Sequence, residues 1–128
     1  MEITIGMKGT VSTLVEREDT ASEICSGALL VYATPCMIAL MECAACEAID
    51  AALPEEKTSV GITVNISHLA ATPVGMEVRA EAEVVEVDGN TVTFQVTAYD
   101  EKGKIGEGTH KRAIVTAQRF LDKTYAKL

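Results

Sequence analysis

Three polar side chains fall where the surrounding pattern asks for apolar or structural ones. Glu42 lies in the middle of TPCMIALMECAACEAID, residues 34 to 50. At about 100° per residue, Ile38, Met41, Glu42, Ala45, Cys46 and Ile49 share one helical stripe. A lone ionised carboxylate there is costly, so the group must be protonated, hydrogen-bonded or open to a wet pocket. In VGITVNISH (60–68), Val60, Ile62, Val64 and Ile66 alternate with small or polar residues, and the same alternation carries His68 onto the apolar face. A carboxylate and an imidazole facing one helix–sheet interface form an acid/base pair in which each tunes the other. Thr34, two turns before Glu42, adds a hydroxyl beside a helix N-terminus, whose free N–H groups suit an acyl oxygen or an anion. Each residue also has a plainer reading: Glu42 on the flank of the stripe reaching solvent, His68 as a satisfied core histidine, Thr34 as an N-cap.

The elements that position these groups follow from the rest of the chain. KGTVSTLVE (8–16) is β-prone, and REDTASEICSG (17–27) is polar and turn-rich. Thr34 as N-cap and Pro35 at the first helical position predict a long helix that stops just before Pro54. After the 60–68 strand come two alternating segments, 76–87 and 91–100, joined by Asp88-Gly89-Asn90, a strong hairpin signal. DEKGK (100–104) leads into a last strand from Ile105 to about Gln118. The predicted class is α+β, one domain over 1–128, with a five-stranded antiparallel sheet wrapped around one long central helix, the hotdog arrangement. One helix cannot cover both faces and both edges of such a sheet, which predicts a homodimer and leaves further pairing into tetramers open.

Composition narrows the function. The chain has 128 residues, 48% hydrophobic and 23% charged, which suits a single folded domain. A net charge of −8 and only 4% aromatic residues argue against nucleic acid, which needs a basic face and stacking rings. There is no membrane-spanning apolar run and no signal-peptide pattern at MEITIGMKGTV, so the expected address is cytoplasmic. Cys43 and Cys46 form a C-x-x-C without a second ligand pair, and small buried thiols explain them better than a metal or redox centre. His110 and Arg112 alternate onto one face of the final strand, with Lys111 opposite. They suit either an anionic substrate tail or the charged surface of an edge strand.

The segments ATPCMIALMECAACEAI (33–49), VGITVNISHLAATPVGMEV (60–78) and GEGTHKRAIV (106–115) resemble the fluoroacetyl-CoA thioesterase-like branch of the hotdog-fold thioesterases. The resemblance rests on T-x7-E, H-x-A-A-T-P-x-G and G-x-G-T-H-x-R together and covers nearly the whole chain from Ala33 onward. It implies hydrolysis of acyl-CoA thioesters by a Thr, Glu and His constellation near a dimer interface, at Thr34, Glu42 and His68. It also implies Gly61 and Arg112 as substrate-site residues, and no metal or other cofactor, since CoA is part of the substrate. Basic residues such as Lys102, Lys104 or Lys111 are expected to hold CoA. The 17–32 segment departs from the family's lid, and Pro35-Cys36 from the residues that usually follow the threonine, so the expected substrate is a general short- or medium-chain acyl-CoA. The alternative is a non-catalytic acyl-CoA or small-molecule binding module on the same fold.

Overall fold

The computed structural model describes residues 2–128. Strand β1 (Lys8–Leu14) is followed by a loop containing one 3₁₀ turn, and then by helix α1 (Thr34–Ile49), which closes with a 3₁₀ turn at Asp50–Ala52. Four strands come next: β2 (Lys57–His68), β3 (Glu77–Asp88), β4 (Thr91–Asp100) and β5 (Gly103–Thr116). A terminal helix, α2 (Ala117–Tyr125), ends the chain. The five strands form one antiparallel sheet in the order β1-β3-β4-β5-β2.

Alternation decides which face the helix covers. Val78, Ala80, Ala82 and Val84 of β3 and Val92, Phe94, Val96 and Ala98 of β4 are buried, and Arg79, Glu83 and Gln95 between them face out. Against this face α1 buries Met37, Met41, Ala44, Ala45 and Ile49. The expected stripe is thus displaced: Ile38, Glu42 and Cys46 lie on its half-buried flank. Alanines on the sheet and on the helix let the two layers approach closely. At Gly9 of β1 the approach is so close that a Cβ would run into the Ala44 carbonyl and the Ala48 backbone. Gly9→Ala should therefore force the helix off the sheet and cost about 2–3 kcal/mol in chemical denaturation; an unchanged midpoint would contradict this packing.

Several expectations are corrected. The N-cap of α1 is Ala33, not Thr34. Thr34 is the first helical residue, Pro35 the second, and no side chain caps this end. The helix proper stops at Ile49 rather than running to Pro54. The final strand is interior, between β4 and β2, so the edges are β1 and β2. The last strand also ends at Thr116, and AQRFLDKTY folds as a short amphipathic helix with no buried residue, which the strand-like text before it concealed.

The largest correction concerns β2. Its pairing with β5 slips between Gly61 and Thr63. A bulge shifts the side-chain parity, so the alternation does not carry one face from Val60 to His68. Before the slip, buried Ser59 and Gly61 face the helix; after it, Val64, Ile66 and His68 do, being paired with His110, Gly108 and Gly106.

Candidate active site

Two hydrogen-bonded groups lie along the helix–β2 side of the molecule. In the first, Thr34 Oγ1 and His68 Nδ1 are 2.7 Å apart. Thr34 reaches the imidazole because it occupies the first helical turn, with its hydroxyl free of capping. His68 Nε2 is buried with no hydrogen-bond partner among the described residues. A buried ring nitrogen without a partner is costly, so a group that supplies one is favoured there. The pair opens onto a cleft of about 380 Å³ whose other lining includes Gly27, Ala28, Leu29, Tyr32, Ala70 and Ala71. Volume and lining are those of a small-ligand pocket with few polar groups at one end.

The second group centres on Glu42. Its Oε2 accepts a hydrogen bond from Arg112 Nη1 at 3.0 Å. Arg112 is held in turn by Ser59: Nε donates to the hydroxyl at 2.8 Å and Nη2 to the carbonyl at 3.0 Å. The guanidinium is nearly buried, whereas the Glu42 side chain is 39% exposed. The carboxylate is therefore anchored on its inner side and open on its outer one. Gly61 makes the room, since a Cβ there would lie 2.6 Å from Glu42 Oε2. His110 stands behind, with Nε2 3.1 Å from Arg112 Nη1 and 3.6 Å from Glu42 Oε2.

The expected site residues thus fall into two sets. Thr34 and His68 are together, and Glu42, Gly61 and Arg112 are together. Within one chain the sets are separated by eight residues of helix, roughly 12 Å of rise, and by seven residues of β2, roughly 23 Å. His110, expected as an anion holder or a surface charge on an edge strand, is instead 1% exposed, because β5 lies inside the sheet between β4 and β2. The C-x-x-C cysteines are unpaired; Cys43 is exposed and Cys46 half-buried, with burial pushing the Cys46 thiol up.

Both histidines sit below the usual imidazole range. For His68 the main cause is burial, opposed by the Ala70 backbone. For His110 burial again leads, with the Thr63 backbone opposing it, Arg112 adding to it and Glu42 opposing it. Both are neutral at pH 7. The unfolded chain takes up these protons near the reference pKa of about 6.5, before the folded chain does. The histidine contribution to stability is therefore complete above that pH and is lost as pH falls through the lower folded values. The melting temperature should drop as pH falls from 7 toward 5, less steeply in His110→Gln; a histidine-independent profile would contradict the assignment.

Strand order and a lone helix on one sheet face define the hotdog class of fold, and the comparisons with known proteins specify it. A family profile described as fluoroacetyl-CoA-specific thioesterase matches residues 15–118. A fluoroacetyl-CoA thioesterase from Streptantibioticus cattleyicolor is 37% identical over 97 residues, covering 76% of this chain and 70% of that protein. A solved structure of a fluoroacetyl-CoA thioesterase superposes with a TM-score of 0.94 at 30% identity, covering 100% of this chain and 99% of the other. A hot-dog-like protein from Thermanaerovibrio acidaminovorans gives 0.87 at 26% identity, covering 97% and 92%. The chain belongs to the fluoroacetyl-CoA-specific thioesterase family. Among the described residues no helix is long and apolar enough to cross a membrane.

Proposed function

We propose that the protein hydrolyses short- or medium-chain acyl-CoA thioesters to the free acid and CoA, at a site completed by two copies of the chain. Family membership supports the reaction class. The observation that carries the site is an anchored, outward-open carboxylate on α1, displaced along the same helix from a Thr–His pair that lines a small-ligand cleft.

Two copies reconcile the separation. Strand β2 is a twelve-residue edge, and Ile62, Val64 and Leu69 on or beside it are each about half exposed. Antiparallel pairing of two such edges is the ordinary way to satisfy them, and it is two-fold symmetric. Ile38 is the midpoint between Thr34 and Glu42, and the Val64–Asn65 bond is the midpoint between Gly61 and His68. An axis passing both midpoints sets Thr34 and His68 of one copy opposite Glu42 and Gly61 of the other.

In that arrangement Glu42 acts as general base on water or as the carboxylate nucleophile, and the CoA thiolate leaves readily. When Thr34 donates to His68 Nδ1, the proton on Nε2 faces the thioester carbonyl and stabilises the oxyanion; in the other tautomer Nε2 moves a proton. Arg112 aims Glu42 through the hydrogen bond from its Nη1. No metal or further cofactor enters these steps. Small residues at Gly27, Ala28, Ala70 and Ala71 leave space for an acyl chain longer than two carbons. A second cleft shares Ala70 and Ala71 with the first and is lined by Asp100, Lys102 and Lys104; Lys104 is paired with Glu107, which leaves Lys102 as the lysine to meet a CoA phosphate. Unpaired thiols suit a reducing, cytoplasmic compartment.

The test is release of free thiol from a series of acyl-CoAs of two to eight carbons. Saturable turnover by a dimeric protein is expected; binding of CoA esters without turnover would replace the enzyme by a binding module.

A further inference from the structure

His110 lies inside the molecule, 1% exposed, on the interior strand β5, with its ring stacked on Phe94 at a centroid distance of 6.2 Å. Its Nδ1 is 2.9 Å from the Thr63 carbonyl oxygen, at the residue that closes the β2 bulge. A carbonyl only accepts, so Nδ1 carries the proton. Nε2 of the neutral ring is then a lone-pair acceptor, and the group beside it, 3.1 Å away, is Arg112 Nη1. That nitrogen has two protons: one goes to His110 Nε2 and the other to Glu42 Oε2. The result is a directed chain from Arg112 through the imidazole to the β2 backbone, with the Glu42 carboxylate as its one half-exposed member.

We propose that His110 is a positioning residue for the thioester hydrolysis described above: its fixed tautomer, set by the bulge carbonyl, orients Arg112 Nη1 and so aims Glu42. The proposal rests on that functional reading for its kinetic consequence, but its geometry stands apart from it. A histidine suits this place because it bridges a backbone acceptor and a guanidinium donor at once, which no apolar ring of the same size does. The bulge is thereby tied to the site, since an unbulged β2 would put Gly61, the Thr63 carbonyl and His68 on different faces than those observed.

Protonation reverses the device. An imidazolium has no acceptor for Arg112 and carries a like charge toward it, while its new Nε2–H points to Glu42 Oε2, 3.6 Å away. The charged groups that face the ring are Glu42 from α1 and Arg112 from β5; β2 presents the Thr63 carbonyl and β4 the Phe94 ring. In acid, therefore, His110 competes with Arg112 for the carboxylate.

The experiment compares full-length wild type, His110→Gln and His110→Phe by CoA release from acyl-CoA and by ¹⁵N and ¹³C NMR. His110→Phe keeps an aromatic ring against Phe94, though a somewhat larger one, and removes the acceptor. Its kcat should fall about 10- to 100-fold with KM within about twofold. His110→Gln, whose amide both donates and accepts, should stay within about fivefold of wild type and lose the acid inflection in kcat that His110 contributes. Stability loss with unchanged kcat per folded molecule in His110→Phe would overturn the proposal. So would an Nε2-protonated tautomer of His110 at pH 7 in the wild-type spectrum. Absence of turnover in wild type would remove the thioesterase assignment alone. The positioning claim would then be decided by NMR: the Glu42 carboxyl resonance moves in His110→Phe and returns in His110→Gln if the claim is right, and stays at the wild-type value in both if it is wrong.

Discussion

Replacing Glu42 by glutamine is expected to lower kcat for acyl-CoA hydrolysis by about 10²- to 10⁴-fold, with KM changed by no more than about twofold. The glutamine carbonyl can still accept from Arg112 Nη1, so the guanidinium keeps its partner and the chain should fold. What is removed is the charge that activates water or attacks the thioester carbon. Because the Glu42 side chain is already partly exposed, its neutralisation relieves no buried charge of its own, and the stability change should be about 1–2 kcal/mol at most, from the lost pairing with Arg112. Stopped-assay thiol release and a thermal melt on the same preparation separate the two quantities. Wild-type kcat in this variant would remove Glu42 from the mechanism.

The second large effect is expected from one methyl group. In Gly61→Ala the new Cβ lies 2.6 Å from Glu42 Oε2, 3.2 Å from His110 Cε1 and 3.5 Å from Arg112 Nη1. The worst contact is with the far end of a flexible side chain, so the fold can yield by swinging the carboxylate away. The cost to stability should therefore stay below about 1 kcal/mol, while the ion pair with Arg112 lengthens and Glu42 is misaimed. A displacement of about 1 Å at a catalytic group costs on the order of 100-fold in rate. A large loss of kcat with little change in melting temperature is the expected signature. Parallel losses of both, or of neither, would show that Gly61 serves only the strand.

Much of this architecture was legible in the sequence because it depends on short periodicities. The helix starting at Thr34 could be read from its apolar text and Pro35, and the β3–β4 hairpin from Asp88-Gly89-Asn90, where Gly89 has a φ of +60°. Thr34, Glu42 and His68 could be picked out one by one, because each is a polar group in apolar company. Their arrangement could not. The bulge between Gly61 and Thr63 is a register event between β2 and β5, and no residue in VGITVNISH announces it. Strict period-two alternation would put Val60 and His68 on one face, whereas the slip separates them. Strand order was equally hidden: β5 follows the last hairpin, and only the long-range pairing with β2 makes it interior and buries His110 and Arg112. The Glu42–Arg112 pair spans 70 positions, beyond the reach of any local pattern.

The central claim is that one site draws Glu42 from one copy and His68 from another. Subunit exchange between Glu42→Gln and His68→Ala tests it most directly, with mixed dimers verified by mass. Each variant alone should be nearly inactive. Random mixing makes about half the dimers mixed, each with one intact site of two, so thiol release should recover to roughly a quarter of the wild-type rate. Mixed dimers with no more activity than the two parents would contradict the shared site.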